Sequence, residues 1–150
     1  QLVRVKLDEN FYNTKFTIND FKDSLVIYDD TETIANKLIK EKLDNIRNLL
    51  LTTGRHANVF MILTSHNTNA GHDTKLILLE ASSITLFLKT MGQRSLDYVL
   101  KTTFGLGKDQ IRKIECLDSR WITVIKTYPM TVLHERGYYT LNKSFKEKMD

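Results

Sequence analysis

Three carboxylates follow the first strongly apolar run of the chain. Asp29 and Asp30 come directly after the run Leu25-Val26-Ile27-Tyr28, and Glu32 lies two residues further on. Carboxylates this close together can bind divalent metal ions, as they do in two-metal nucleases. The alternative is a solvated turn or a helix N-terminus, where acidic side chains offset the helix dipole. The acids alone leave both interpretations open.

A second polar cluster follows another apolar run. Thr64, Ser65, His66 and Asn67 come directly after the run 59–63. A histidine in this position can take part in chemistry, or it can be a loop residue that bonds only to the backbone. Two polar clusters after two apolar runs favour a functional site over a solvated turn.

The segments around the two clusters indicate how they are brought together. Short apolar runs bounded by polar residues are typical of buried strands. Residues 33–51 have the spacing of an amphipathic helix, with these apolar residues on one half of a helical wheel: Ile34, Leu38, Ile39, Leu43, Ile46, Leu49 and Leu50. A strand, a helix and a strand in this order predict a βαβ unit in a parallel sheet. Ligands of open α/β sheets bind beyond the carboxyl ends of the strands, where both polar clusters lie.

These segments resemble motifs of a known group of ATPases. The apolar run followed by Asp29-Asp30 resembles the Walker B strand of P-loop NTPases. The segment from Gly54 to His66 resembles the Gly-Arg-x-x-x-apolar-run-x-Thr-Gln segment of the FtsK–HerA pumping ATPases. It is also similar to the Gly-Arg-His segment of the DNA-packaging ATPases of large double-stranded DNA viruses. Ser65-His66 stands in place of the usual Thr-Gln, and the resemblance covers residues 24–67 well and extends loosely to about Leu141.

The resemblance implies a role for each carboxylate. Asp29 would be the Walker B residue and hold Mg²⁺ through water, because Mg²⁺ keeps several waters and takes few protein carboxylates. Asp30 would orient or deprotonate the attacking water, with Glu32 as its substitute. Phosphoryl transfer mainly requires positioning and charge stabilisation, which a strand end can provide.

The resemblance also implies roles for the second cluster and for an arginine. His66 would contact the γ-phosphate or the attacking water, with Ser65 and Asn67 beside it as cofactor-binding residues. Arg55 would reach into a neighbouring subunit's site as an arginine finger, or pair with Asp30 in its own chain. A third interpretation of Arg55 is an arginine that offsets the dipole at a helix C-terminus.

One part of such a site is not found in the sequence. P-loop NTPases need Gly-x-x-x-x-Gly-Lys-Ser/Thr, whose backbone amides and lysine cradle the phosphates. The run Gly105-Leu106-Gly107-Lys108 has a different spacing and is typical of a helix that stops and restarts. Because the P-loop lies upstream of Walker B in the family, we expect the N-terminal part of the ATPase core to be absent from this chain. Alone, the chain would then not bind ATP tightly.

The predicted function is an ATP-driven motor that translocates or packages double-stranded DNA, as a homo-oligomeric ring with ATP and Mg²⁺ as cofactors. Two alternatives stay open. The first is a metal-dependent nuclease in which Asp29, Asp30 and Glu32 bind two metal ions, with Glu80 as the only plausible extra ligand. The second is a non-catalytic nucleic-acid-binding module.

The order of the predicted elements indicates the fold class. In chain order they begin with a hairpin over residues 2–18, a strand 25–28, the helix 33–51 with Thr31 or Thr33 as N-cap and a left-handed Gly54 after it, and a strand 58–64. A helix 74–81, a strand 84–88 and two helices starting near Ser95 and Lys108 follow. The last elements are a strand 121–127 and a terminal hairpin around Glu135-Arg136-Gly137. Together with the resemblance, this order predicts an α/β fold. It would be a partial, three-layer P-loop NTPase-like domain with a mainly parallel sheet, helices on both faces and a C-terminal β-hairpin. We expect residues 1–150 to form one domain.

Composition excludes several classes of protein. The chain has 150 residues, 41% of them hydrophobic, and a net charge of +4, which suits nucleic acid or simply a well-mixed soluble surface. A single cysteine excludes an internal disulfide, and the four histidines lack a zinc-finger spacing. No run approaches the roughly 20 apolar residues of a membrane helix. We therefore expect no membrane partner and a cytoplasmic location, in the host cytoplasm or a viral factory if the protein is viral.

Overall fold

The computed structural model describes residues 2–66 and 72–141. The chain divides into two compact units, residues 1–80 and residues 81–150. The single domain expected from the sequence stays a prediction, and each unit is built around its own sheet.

Two parallel strands form the centre of the first unit. Strand β1 (Leu25–Tyr28) pairs directly with β2 (Phe60–Leu63), and the register matches the first residue of one strand to the first of the other. Between them runs helix α2 (Lys37–Thr53), so the predicted βαβ unit is confirmed. The pairing brings the carboxyl ends of β1 and β2 to the same edge of the sheet.

Helix α2 begins four residues later than predicted. A 3₁₀ helix occupies Thr31–Thr33, and Asn36 is the N-cap of α2. The Asn36 side-chain oxygen accepts hydrogen bonds from the amides of Leu38, at 3.0 Å, and Ile39, at 3.3 Å. An asparagine that satisfies two free amides is a strong helix start, and the prediction of Thr31 or Thr33 was wrong.

Helix α2 ends differently from the prediction as well. Gly54 is right-handed, with φ of −58°, and starts a 3₁₀ helix (Gly54–Ala57). The left-handed residue of this segment is Asn58, with φ of 55°. A Cβ at Gly54 would lie 3.2 Å from the Cβ of Val59, so the glycine is needed for close approach rather than for a left-handed turn.

The core of the first unit lies between α2 and one face of the sheet. Its buried members are Phe11, Tyr28, Leu43, Ile46 and Leu50, and these partly buried residues pack around them: Phe16, Ile18, Phe21, Val26, Ile34, Ile39, Val59, Met61 and Leu63. Side chains alternate across a strand, so every second residue of β1 and β2 faces this core.

The other side chains of β1 and β2 form what we call the bare face. Leu25, Ile27, Phe60 and Ile62 are 55%, 56%, 64% and 49% exposed. Parallel sheets are usually covered on both faces. Since these four side chains are exposed, no helix in residues 2–66 and 72–80 covers this face, and helices on both faces are not found for the described part of this unit.

The predicted hairpin over residues 2–18 was wrong. Residues 2–7 have no regular structure, and helix α1 (Glu9–Asn13) follows with Asp8 as its N-cap. Alternation of apolar and polar residues makes a strand only where one face is buried, and Leu2, Val3 and Val5 are exposed here. The segment is instead anchored by aromatic packing among these rings: Phe11, Phe16 and Phe21.

The second unit contains a four-stranded antiparallel sheet in the order β3 (Ser83–Leu86), β4 (Ile122–Ile125), β5 (Thr131–His134), β6 (Gly137–Thr140). The prediction of a mainly parallel sheet was therefore wrong, although the terminal hairpin is confirmed. Five residues link β4 to β5 and two link β5 to β6, and connections this short join antiparallel strands.

Helices explain the antiparallel pairing of β3 with β4. Helix α3 (His72–Glu80) precedes β3, and two helices separate β3 from β4: α4 (Gln93–Tyr98), extended by a π-helical turn (Val99–Thr103), and α5 (Lys108–Glu115). The side chain of Gln93, at the start of α4, donates to Glu115, at the end of α5. The chain therefore reverses twice before β4 begins, whereas the single helix of a βαβ unit reverses it once.

The two helices and the sheet enclose the core of the second unit. Its fully buried side chains are Val99, Leu100, Ile114, Ile122, Val124 and Val132. Gly105, with φ of +65°, makes the left-handed turn between α4 and α5, and Gly107 is the N-cap of α5. The predicted helix stop and restart at this glycine pair is confirmed. None of the helices in residues 2–66 and 72–141 has the length and apolar character of a membrane span.

A first prediction concerns Tyr28, which is 6% exposed in the core of the first unit. Burial raises the pKa of Tyr28 to about 12, and its hydroxyl donates to the carbonyl of Leu43 at 3.4 Å. Between about pH 10 and pH 12 the unfolded chain ionises this tyrosine while the folded chain does not, so stability falls as pH rises through this range. The difference between about 10 and about 12 corresponds to about 3 kcal/mol in full, of which about 2 kcal/mol is lost by pH 11.5.

We expect Tyr28→Phe to remove this part of the alkaline loss. The measurement is the free energy of unfolding from urea titrations at pH 8.5 and pH 11.5 for wild type, Tyr28→Phe and the exposed control Tyr12→Phe. An equal loss in wild type and Tyr28→Phe would show that Tyr28 does not control alkaline stability.

Candidate active site

The site lies at the edge of the sheet where β1 and β2 end. The amide of Thr64 donates to the carbonyl of Tyr28 at 2.9 Å, which continues the strand pairing by one residue. Asp29 therefore lies opposite Thr64, directly beyond the last pair of the ladder. We call this region the acidic edge, which comprises Asp29, Asp30, Glu32, Thr64, Ser65 and His66.

The hydroxyl of Thr64 connects the two neighbouring aspartates. It donates to Oδ1 of Asp29 at 2.7 Å and accepts a hydrogen bond from the amide of Asp30 at 3.1 Å. Thr64 was not among the predicted site residues. The signal for it was its place directly after the second apolar run, the same place that Asp29 has after the first.

Asp30 adopts a left-handed conformation with φ of 50° and ψ of 35°. Aspartate is one of the few residues other than glycine that tolerates this region. Its carbonyl accepts hydrogen bonds from the hydroxyl of Thr33 at 3.0 Å and the amide of Thr33 at 3.4 Å. The carboxylate lies 3.7 Å from Nε2 of His66, so a protonated His66 forms an ion pair with it.

Glu32 joins the first polar cluster to the second. The hydroxyl of Ser65 donates to the carboxylate of Glu32. Together with the contacts of Thr64 and His66, this bond brings Asp29, Asp30 and Glu32 together with Ser65 and His66. The prediction that the two polar clusters lie at one edge of a parallel sheet is confirmed, whereas the role of each side chain stays a prediction.

Asp29 and Asp30 form no ion pair with a lysine or arginine in the described part of the chain. Both are exposed. Carboxylates without a lysine or arginine partner favour the approach of a cation, and Asp29, as an exposed carboxylate, suits a hydrated Mg²⁺.

Arg55 lies away from these acids. It belongs to the 3₁₀ helix before β2, where the amide of Asp23 donates to the carbonyl of Ala57 at 3.0 Å. Arg55 is therefore at the amino end of the strands and Asp30 at the carboxyl end. A pairing of Arg55 with Asp30 in the same chain is not observed. Arg55 is exposed and has no ion pair among the described side chains.

The remaining predicted residues are Asn67 and Glu80. Asn67 lies outside the described residues. Glu80 ends helix α3, and within residues 2–66 and 74–141 no three His, Cys, Asp or Glu side chains form a group that could hold a metal ion. The two-metal nuclease therefore gains no support from these residues.

Comparison with known proteins finds a viral relative. The chain is similar to uncharacterized protein V3 of Sputnik virophage, with 38% identity over 141 residues. The match covers 93% of this chain and 57% of that protein. The chain thus spans a little over half the length of the relative, and the similarity indicates a viral origin. No protein-family model and no solved structure matches the chain.

Proposed function

We propose that this chain supplies the carboxylate and phosphate-sensing side of an ATPase site, and that ATP hydrolysis there drives the movement of double-stranded DNA. The observation that carries the proposal is the acidic edge itself. Two strand ends, 35 residues apart in sequence between Asp29 and Thr64, are joined there by side-chain hydrogen bonds. The combination of an acidic strand end and a polar strand end is what the resemblance to FtsK–HerA ATPases requires.

Each side chain then has a defined task. Asp29 would hold Mg²⁺ through water, and Asp30 would orient or deprotonate the attacking water, with Glu32 as its substitute. His66 and Ser65 bind the γ-phosphate or the attacking water, and Asn67 is a further proposed cofactor-binding residue. Bound Mg²⁺ would neutralise charge that develops on the phosphate oxygens. The chain's own contribution is to hold these groups at fixed positions, which is most of what phosphoryl transfer asks of a protein.

The proposal needs a phosphate-binding loop from further polypeptide. The chain contains no Gly-x-x-x-x-Gly-Lys-Ser/Thr segment, and Gly105 and Gly107 serve the turn between α4 and α5. The bare face of the β1–β2 sheet offers an apolar surface of the kind that parallel sheets cover. The greater length of the virophage relative is consistent with additional polypeptide in such proteins.

Charge supports a nucleic-acid partner. Residues 81–150 carry twelve lysines and arginines against seven aspartates and glutamates, whereas residues 1–80 carry ten against eleven. The net positive charge of the chain therefore resides mostly in the second unit. Excess positive charge on one unit favours the phosphate backbone of DNA, and binding of this kind weakens as salt rises.

A second prediction tests Asp30. In the protein that joins residues 1–150 to the phosphate-binding loop, Asp30→Asn should abolish ATP hydrolysis and leave nucleotide binding largely intact, because an amide cannot accept the proton of the attacking water. Steady-state phosphate release and nucleotide affinity are the two measurements. Glu41→Gln is the matched control, since Glu41 is an exposed carboxylate of α2 that forms no hydrogen bond or ion pair with the described residues of the acidic edge. A wild-type rate in Asp30→Asn would transfer the role to Glu32.

A third prediction is that Arg55 acts between subunits. About six residues of extended chain separate Asp23, near the Arg55 end, from Asp29, which is roughly 20 Å and longer than an arginine side chain. Arg55 is therefore poorly placed to serve the acids of its own chain and is free to face a neighbour's site. A trans arginine is worth about 10³–10⁵ in rate in GTPases.

The test mixes two inactive proteins. Subunits with Arg55→Ala are combined with subunits with Asp30→Asn, and some interfaces of the mixed rings regain one intact aspartate and one intact arginine. We expect partial recovery of ATPase activity, whereas the exposed control Arg4→Ala should be active without mixing. Co-assembly without any recovery would assign Arg55 to its own chain or to a structural role.

A further inference from the structure

We infer that one face of the four-stranded sheet in the second unit binds single-stranded nucleic acid by stacking bases on its aromatic rings. We call it the aromatic face, which comprises Thr85, Phe87, Trp121, Thr123, Leu133 and Tyr138. The proposed function concerns the acidic edge and double-stranded DNA, whereas this inference concerns a different sheet and a partner with unpaired bases. It does not depend on ATPase activity.

The register of the strands determines which side chains share the aromatic face. One row of direct partners crosses all four strands: Thr85, Thr123, Leu133 and Tyr138. The hydroxyls of Thr85 and Thr123 are hydrogen-bonded to each other at 2.8 Å, as expected of neighbours on one face. Side chains alternate across a strand, and the opposite face carries buried members of the core: Leu86, Ile122, Val124 and Val132.

Two further rings extend this face beyond the row of partners. The amide of Leu88 donates to the carbonyl of Arg120 at 2.9 Å, so β3 and β4 stay paired beyond the last residues of their ladder. This register places Phe87 opposite Trp121, and each lies two residues from a threonine of the row, hence on the same face. Tyr138 is two strands away from Trp121, which is roughly 10 Å across the sheet.

The rings of the aromatic face are accessible to a partner. Phe87 is 58% and Tyr138 is 73% exposed, and Trp121 is half-buried. The solvated face of an antiparallel sheet is normally polar, so exposed rings on it are unusual. The side chains of Trp121 and Tyr138 form no hydrogen bond with residues 2–66 and 72–141, so the indole N–H and the phenol hydroxyl can bond to the edges of bases.

Exposed rings on a sheet are suited to stacking with bases. Every base has a π-face, so bases stack on aromatic side chains with little dependence on sequence. Four-stranded sheets whose exposed rings stack two or three bases are a recurring way to bind single strands. In a duplex the bases stack on one another and cannot offer their faces to these rings. The arrangement therefore favours single strands over duplexes.

Positive charge beside the rings favours a nucleic-acid occupant. The amide and the guanidinium of Arg120 donate to the carboxylate of Glu135 at 2.8 Å and 2.6 Å. These bonds and, to a smaller extent, the charge of Lys89 hold the pKa of Glu135 below its usual range. Two cations therefore lie near one carboxylate at the Trp121 end of β4. An excess of positive charge attracts the phosphates of a nucleic acid.

The same charge argues against a second copy of the chain as the occupant. Two copies would bring together two units that each carry twelve lysines and arginines against seven aspartates and glutamates. Like charges across an interface are unfavourable. A single strand of nucleic acid supplies the opposite charge together with flat surfaces that stack on the rings.

The experiment follows the fluorescence of Trp121, the only tryptophan of the chain. The probes are a thymidine oligonucleotide of about 20 residues and the duplex that it forms with its complement. A base that stacks on the indole quenches its emission, so we expect the single strand to quench at lower concentration than the duplex. Phe87→Ala and Tyr138→Ala should each weaken binding of the single strand about 5- to 150-fold, the loss typical of one base–aromatic stack. Tyr138→Phe keeps the ring and should bind nearly as well as wild type.

Matched controls separate stacking from general effects on charge and folding. Tyr98→Ala removes an exposed tyrosine of α4 that is not part of the sheet, and it should leave the affinity unchanged. Lys89→Gln should weaken binding and lower its salt dependence, with a slope of log affinity against log salt that is smaller by about 0.7. Phe87 and Tyr138 are exposed, so their alanine variants should fold, and urea titrations check this.

Three outcomes would overturn the inference. Equal affinity for the single strand in wild type, Phe87→Ala and Tyr138→Ala would show that bases do not stack on these rings. Tighter binding of the duplex, unaffected by both alanine variants, would show that the unit binds phosphates only. No quenching of Trp121 by the single strand would exclude the site, and a dimer in sedimentation that Phe87→Ala dissociates would then make the aromatic face an interface between copies.

Discussion

The structure of the first unit depends on the parallel pairing of β1 with β2. This register matches Leu25 to Phe60 and Tyr28 to Leu63, and it brings both strand ends to one edge. In an antiparallel pair, Asp29 and Thr64 would lie at opposite ends, separated by about 13 Å for four residues of strand. The hydrogen bond between them would then be impossible. One ladder of backbone bonds thus determines both which side chains face α2 and which meet at the acidic edge.

The part of the fold that could be predicted from sequence is the part with the strongest periodicity. The helix between the strands has apolar residues at Leu43, Ile46 and Leu50, and all three are buried in the core as expected. The start of this helix was predicted in the wrong place because Thr31, Thr33 and Asn36 are all residue types that cap helices. Only the side chain of Asn36 accepts hydrogen bonds from two free amides. The bridge made by Thr64 could not be predicted, because it depends on the register of two strands and not on any motif.

The second unit shows that the order of strands and helices in the sequence does not by itself determine whether two strands pair in parallel or antiparallel. Strands that alternate with helices suggest a parallel sheet, but the number of reversals between strands decides the direction. One helix returns the chain to the amino end of the preceding strand, so the next strand runs parallel to it. The pair α4 and α5 reverses the chain once more, so β4 runs antiparallel to β3. The bond from Gln93 to Glu115 reflects this arrangement, since the start of one helix meets the end of the other. In the sequence Gly105 marks the break between the two helices, and in the structure it makes a left-handed turn there. The number of helices between β3 and β4 was therefore the signal that could have predicted an antiparallel pair.

The bare face and the acidic edge belong to the same two strands, and this links folding to the proposed chemistry. Burying apolar surface contributes about 25 cal/mol per Å², so covering Leu25, Ile27, Phe60 and Ile62 would stabilise the sheet. In α/β folds the helices that cover a sheet run back from the carboxyl ends of strands, so their amino ends lie near that edge. A helix amino end offers backbone amides to phosphate. Polypeptide that covers the bare face in this orientation would therefore complete the core of the unit and the proposed nucleotide site together. The present side chains would supply the cation and water ligands, and the covering polypeptide the phosphate ligands.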